Sequence, residues 1–372
     1  MKTYIVGGYV RDLQMGLAPN DRDFVIVGAT KAEIEQMISS GEFEQVGSSF
    51  PVFLHNKTGE EYALARIERK TGIGYKGFEC DVENVSLEQD LSRRDLTINA
   101  MAMSHDGNII DPFGGRHDIH NKVLRHVSDA FSEDPLRVVR VGRFFARFAD
   151  FTIHPDTSAL IHKMVASGEM SSIARERYWI EFSKVFSGGH NPVRFIEFLM
   201  EYNVWEYIFP QFARPTQRII DAISYFKDTL PFDQWCDYMI PLLMFGVPKE
   251  KVIMPSLKMP SVYAKKAFRL LRNGNVQPFF HELDACKITD FITSQTFRAE
   301  EDVYYYIEIW DAINNHEYPQ FGEYLIKCYD RYISVDCGEV AAHVVKNGGD
   351  SLDIRDAIFA ARVQEVKKLI GE

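Results

Sequence analysis

Apolar and polar positions along the first part of the chain alternate in short runs that read as strand, helix, strand and helix: Tyr4–Val6, Tyr9–Met15, Phe24–Val27 and Lys31–Ser39. Further strands are expected at Pro51–Leu54, Tyr62–Ala65 and Asn108–Ile110, the last behind the turn signal Asp106-Gly107. From Asp134 onward the period changes to that of helices nearly to the end, with helices expected over Pro135–Phe148, Thr157–Ala166, Arg175–Phe186 and Pro192–Tyr202. Beyond residue 210, helical segments are broken by Pro and Gly, as at Val247-Pro248 and Gly348-Gly349. No internal repeat or low-complexity linker is visible. The pattern predicts an α+β protein in three parts: a small α/β head over 1–130, a helical neck and body over 131–210, and a helical tail over 211–372.

Composition supports a folded chain, since 46% of 372 residues are hydrophobic and more than one core can be buried. The start lacks the basic and apolar regions of a secretory signal, and no stretch approaches the roughly eighteen apolar residues of a membrane span. A soluble, cytoplasmic protein with no membrane partner is expected. Five scattered cysteines, none in a C-x-x-C pair, argue against zinc or redox chemistry. A net charge of −11 disfavours indiscriminate coating of nucleic acid but allows a local basic groove. Between Arg93 and Arg147, nine Lys/Arg face seven Asp/Glu, so that segment is slightly positive in an acidic chain.

Chemistry concentrates at three places. Asp21 and Asp23 stand at i and i+2 where a strand begins, so both carboxylates project from one face and offer the hard oxygens that Mg²⁺ prefers. Such a pair alone is common in polar turns. Gly7-Gly8 follows a strand and opens a helix carrying Arg11, a layout in which backbone N–H groups and a guanidinium can cradle a triphosphate, without any Walker A lysine. Further along, Arg137, Arg140, Arg143 and Arg147 recur at helical spacing on one face, behind Glu133, Asp134 and Pro135.

Gly7-Gly8-Tyr9-Val10-Arg11-Asp12 together with Asp21-Arg22-Asp23 resembles the opening motif of the nucleotidyltransferase superfamily, which includes class II CCA-adding enzymes and bacterial poly(A) polymerases. The resemblance implies a polymerase-β-like head, with Asp21 and Asp23 holding catalytic Mg²⁺ and Gly8 and Arg11 at the nucleotide. Ala63–Glu68 looks like the next strand, with Glu68 as a possible third carboxylate or an edge-strand surface charge. Arg93–Ala100 resembles the second motif, which places Arg94 on the incoming nucleotide, and Asp111–Gly115 resembles the hinge motif between head and neck.

For Glu133–Arg143 the resemblance assigns Asp134 and Arg137 to reading the incoming base. Cytosine and adenine each present an amine donor beside a ring-nitrogen acceptor; a carboxylate and a guanidinium complement that edge and oppose the edges of uracil and guanine. A mismatch leaves buried polar groups unpaired, at ~1–3 kcal/mol each. Arg140 and Arg143 then face the triphosphate or the base stack. Ala174–Phe182 and Phe198–Trp205 resemble body helices, with Arg175 and Arg177 as candidate phosphate contacts.

The resemblance covers residues 1–210 well. No His…His-Asp…Asp series follows residue 210, so the HD phosphohydrolase module of many relatives is not expected; His117-Asp118 lies too early. Asp350–Ala357 with Ala361–Val363 looks like the family's closing helix, in a region that holds the tRNA elbow in relatives. The implied activity is addition of C, C and A from CTP and ATP to the 3′ end of tRNA. Alternatives are an A-adding, CC-adding or poly(A) polymerase, or a non-catalytic RNA-binding protein on the same scaffold. The Gly-rich loop Arg69–Phe78 favours the complete CCA reaction, because CC-adding relatives have lost much of it.

Overall fold

The structure is a computed structural model. It describes residues 1–19, 21–46, 52–70, 78–210, 213–244, 262, 283–295, 297 and 299–371. The coordinates divide into two units, residues 1–185 with 194–207, and residues 186–193 with 208–372. The architecture is α+β, as the sequence predicts.

The first unit is built on a seven-stranded sheet. Its strands are β1 (Lys2–Val6), β2 (Asp23–Val27), β3 (Phe43–Val46), β4 (Val52–His55), β5 (Glu61–Leu64), β8 (Ala102–Met103) and β9 (Ile109–Ile110), in the order β3-β4-β5-β2-β1-β8-β9. β2 is central and both its faces are covered, which accounts for its uninterrupted apolar run. Val25 packs with Val6, Ala65, Val85, Leu91 and Ala102 on one side, and Ile26 packs with Phe53 and Leu64 on the other. The register sets Val6 opposite Asp23 in the antiparallel β1–β2 pair, and Glu61 opposite Asp23 in the parallel β2–β5 pair.

The expected helices α1 (Gly8–Gln14) and α2 (Lys31–Ser39) are present. α2 starts at a capping box in which Thr30 and Glu33 satisfy each other's backbone N–H groups. A second capping box, Ser86 with Gln89, starts α3 (Leu87–Ser92), a helix that periodicity over so few residues does not reveal. The single strand expected from Tyr62 toward Glu68 is two strands. β5 ends at Leu64 and β6 (Ile67–Lys70) leaves the main sheet to form a separate hairpin with β7 (Phe78–Asp81). Glu68 lies in that hairpin and its side chain is outside the described residues, as is most of the Gly-rich loop, 71–77. α4 (Gly115–His120) and β10 (Val123–Leu124) complete the head.

Helices follow, as expected: α5 (Leu136–Arg147), α6 (Pro155–Ala166), α7 (Arg175–Ser187), α8 (Pro192–Glu201) and α9 (Trp205–Ile208), interrupted by the short strand β11 (Thr152–Ile153) beside β10. α5 packs through Gly142 so closely that a Cβ there would lie 2.5 Å from the Phe198 ring. The second unit contains α10 (Gln217–Thr229), α11 (Trp235–Met244), α12 (Ala285–Gln295), α13 (Glu300–Ile313), α14 (Gln320–Ile333), α15 (Cys337–Lys346) and α16 (Ser351–Ile370). Aromatic packing fills it; the rings of Trp310 and Phe321 are 3.9 Å apart. Among the described residues no helix is long and apolar enough to cross a membrane.

Candidate active site

A cleft of about 590 Å³ in the first unit gathers three sequence-distant groups: the glycine turn, the strand start bearing Asp23, and α5. Gly7 makes the turn from β1 into α1 at φ +74°, a conformation that costs an L side chain dearly. Sterics point the same way, because a Cβ on Gly7 would stand 3.1 Å from Nη1 of Arg94. Antiparallel pairing brings Asp23 beside Val6, the residue before this turn. Asp23 has a raised pKa, through partial exclusion of water and the charges of Glu61 and Asp21, with Arg94 opposing the shift. Among the described residues, no cluster of three His, Cys, Asp or Glu side chains is preassembled for a metal.

The arginines of the cleft fall into two classes. Arg11 is 4% exposed and donates from Nε to Asp12 Oδ1 at 2.8 Å and from Nη1 to Asn99 Oδ1 at 2.7 Å. Its guanidinium lies 5.3 Å from the Phe144 ring centre and 5.5 Å from that of Phe148. Asp12 also accepts from Arg147 at 3.0 Å, so one buried carboxylate ties α1 to α5. Arg143 donates to the buried Glu181 at 2.6 Å, and Arg140 donates to Asp95 at 2.8 Å and to Glu181 at 3.4 Å. Burial alone would raise the Asp95 pKa; Arg140 and the Asn99 amide outweigh it and hold the carboxyl far below the usual range. Arg140 is raised in turn, chiefly by Asp95.

The second class is Arg94, Arg137 and Arg177. Arg94 donates to Asp90 at 3.2 Å, while its Nε is buried and meets no acceptor. Arg137 donates to the Ala130 carbonyl at 2.9 Å. Asp134 meets Arg137 through the backbone, its carbonyl accepting from the Arg137 N–H at 3.0 Å. Its carboxylate accepts from Arg177 at 2.7 Å and 3.3 Å and from the Leu136 N–H at 3.1 Å, at the start of α5.

The sequence is matched over residues 3–125 by the family model of the poly A polymerase head domain, and over 150–214 by that of a probable RNA- and SrmB-binding site of polymerase A. The CCA-adding enzyme of Coxiella burnetii is 40% identical over 324 residues, covering 85% of this chain and 82% of that enzyme. The chain belongs to the CCA-adding enzyme family. The multifunctional CCA protein of Actinobacillus pleuropneumoniae is 52% identical over 217 residues, which cover 58% of this chain and 52% of that protein. The chain thus spans about half the length of the multifunctional relatives it matches. Two solved CCA-adding enzymes share the fold at a TM-score of 0.65: an apo form, 20% identical and covering 97% of this chain and 92% of its own, and the Thermotoga maritima enzyme complexed with tRNA, 21% identical and covering 100% and 88%.

In this CCA-adding scaffold, Gly8, Arg11, Asp23, Arg94, Asp134, Arg137, Arg140 and Arg143 line one cleft. Asp21 stands two residues before Asp23, at an exposed position outside that lining. Four further lining or supporting residues escaped the sequence reading. Glu61 comes opposite Asp23 through parallel strand pairing, which linear spacing cannot show. Asp90, Asp95 and Glu181 are buried carboxylates each held by arginines from the motifs, so an acid four residues after Arg177 and one directly after Arg94 were the available signals.

Proposed function

We propose that this chain adds C, C and A, without a nucleic-acid template, to the 3′ end of tRNA using CTP and ATP. The reading rests on one observation: the Asp23 strand, the glycine turn and the Asp134–Arg137 end of α5 open onto the same cleft. In this reading residues 1–130 are the catalytic head, 131–210 select the nucleotide, and 211–372 hold the tRNA elbow. It is a cytoplasmic activity on tRNA.

Asp21 and Asp23 suit a hard divalent ion: burial and then the neighbouring charge of Glu61 raise the Asp23 pKa, with Asp21 adding least, and a bound cation would offset that gathered negative charge. When bound, Mg²⁺ would neutralise charge at the phosphates and lower the pKa of the attacking 3′-hydroxyl. The N–H groups of the Gly7-Gly8 turn and the unsatisfied Nε of Arg94 receive the triphosphate. Asp134 accepts from the exocyclic amine of cytosine or adenine, and Arg137 donates to the ring nitrogen. Arg177 holds the Asp134 carboxylate in place as an acceptor, which complements an exocyclic amine and opposes the carbonyl of uracil. Arg140 and Arg143 are anchored through Asp95 and Glu181, so they present charge to the nucleotide from fixed positions.

The test is a tRNA ending at its discriminator base, incubated with CTP, with ATP, and with both. Two, no and three added nucleotides are expected. Addition of adenosines alone would make the chain an A-adding or poly(A) enzyme, and addition of C that stops after two even with ATP would make it a CC-adding one. Asp21→Ala and Asp23→Ala should abolish incorporation and leave tRNA affinity within about twofold, because the phosphate contacts lie elsewhere. Incorporation that survives either change at near wild-type rate would overturn the catalytic assignment of that aspartate, and no incorporation by the wild type would leave a non-catalytic RNA-binding scaffold.

A further inference from the structure

We propose that Asp90 is a positioning residue for the nucleotide's triphosphate, fixing Arg93 and Arg94 against the floor of the cleft; the proposal rests on the nucleotide-binding reading above. Asp90 is fully buried within α3, and Arg93 and Arg94 fall at i+3 and i+4 and reach back to it. Oδ1 accepts from Arg93 Nη2 at 2.6 Å and Nε at 3.1 Å, and from the Arg66 backbone N–H at 3.3 Å. Oδ2 accepts from Arg94 Nη2 at 3.2 Å. Arg93 Nε also donates to the Arg66 carbonyl at 3.1 Å, and the Ala65 N–H donates to the Ile26 carbonyl, so this clip is joined to the central strand β2.

Two arginine side chains, Arg93 and Arg94, therefore stand at one wall of the cleft around one buried carboxylate, beside the Arg66 backbone. With Asp90 ionised they are held close despite repelling one another. Burial would raise the Asp90 pKa, but Arg94 and Arg93 override it and keep the carboxyl low. Arg94 is the arm that reaches the ligand. Its Nη1 lies over the Gly7 turn, where any Cβ would crowd it at 3.1 Å, and its Nε is buried without an acceptor. An unpaired buried donor on a cation, beside a turn that presents backbone N–H groups, asks for a polyanion. α3 has anchors besides Asp90, namely its own capping box and the fully buried Leu91.

The experiment measures binding of inorganic tripolyphosphate, CTP and cytidine by calorimetry to the full chain, wild type and Asp90→Asn. Tripolyphosphate and CTP should weaken by about tenfold or more, with cytidine within about twofold, since charge-assisted contacts to phosphate are what the change disturbs. In a variant with both arginines removed, Arg93→Ala/Arg94→Ala, adding Asp90→Asn should cost less than about twofold further, because the carboxylate then has nothing left to position. Asp90→Glu keeps the charge but displaces it by a methylene, and carries the same comparison if Asp90→Asn does not fold. Unchanged tripolyphosphate binding, an equal loss for cytidine, or an undiminished loss in the arginine-free background would each overturn the proposal. A wild-type chain that binds neither tripolyphosphate nor CTP would overturn the nucleotide reading itself.

Discussion

The two units of the chain are stabilised differently. Among the described residues the first unit buries the charged side chains Arg11, Asp12, Asp90, Asp95, Asp118, Arg137, Arg143 and Glu181. The second buries no charged side chain among those described, and its core is filled by Trp310, Tyr306, Tyr329 and Phe321. Burying ions costs several kcal/mol each unless they are paired, and replacing such pairs by apolar residues is often neutral or better for stability. The first unit therefore carries an arrangement that packing alone would not select, at the place where a charged nucleotide is proposed to bind. The second follows the ordinary rule that aromatic and aliphatic groups go inside.

The sharpest way to test this contrast is to damage each core. Glu181→Ala leaves Arg143 and part of Arg140 without their buried partner, and should destabilise the first unit by ~3–5 kcal/mol. Trp310→Ala should cost the second unit a similar ~3–5 kcal/mol through the cavity it leaves. The two part company in function: CTP binding, measured well below either melting transition, should fall in the first variant and hold in the second. Equal losses of CTP affinity would break the comparison.

A smaller effect is expected at Gly142, where α5 meets Phe198 and Phe195 of α8. Gly142→Ala introduces a methyl with no room and should cost ~1–3 kcal/mol in denaturant unfolding. The arginine face of α5 should move with it, so the CTP to UTP ratio of kcat/KM should drop. A stability loss without any change in that ratio would show that the helix is held by its ion pairs and not by this contact.

The smallest and most graded effect is on pH. Asp90 and Asp95 have folded pKa values below the unfolded carboxylate value, so the stability they give is present above that value and is lost as pH falls through the folded one. In the second unit, burial raises the Tyr305 and Tyr306 phenols and pushes the Cys236 and Cys328 thiols to about 11 and about 12. Their contribution is present below the unfolded values and is lost as pH rises through the folded ones. Trp205 reports on the first unit and Trp310 on the second. With the remaining tryptophans changed to Phe, Trp205 fluorescence should respond first on the acid side and Trp310 on the alkaline side. Tyr178 of the first unit is also raised, so the alkaline contrast is the weaker one.

Local chemistry made much of this chain legible. The ends of α2 match the expected Lys31–Ser39, and α5, α6, α7 and α8 fall within two residues of expectation, because each has an apolar period and four of the five have an evident start at Thr30, Pro135, Pro155 or Pro192. The glycine turn, the Asp21/Asp23 pair and the arginine face of α5 were visible for the same reason. The hairpin of β6 and β7, the two-residue strands β8, β10 and β11 and the short α3 were not, since elements that brief carry too few positions for a period to emerge, whereas β9 was marked by the turn signal Asp106-Gly107 before it.

The sequence by itself determined which residues could do chemistry and on which element each stands, because spacing along a helix or strand dictates the face a side chain takes. Only the tertiary structure decided which of them meet. Parallel pairing sets Glu61 beside Asp23, whereas Glu68, the nearer candidate by motif, leaves with the β6–β7 hairpin. Asp134, just before α5, pairs with Arg177 of α7, 43 residues away. Arg11 is enclosed by Asp12, Asn99 and the rings of α5. Such pairings depend on strand order and on how α5, α7 and the sheet close around one cleft, and charges whose partners lie tens of residues away leave no local period in the chain.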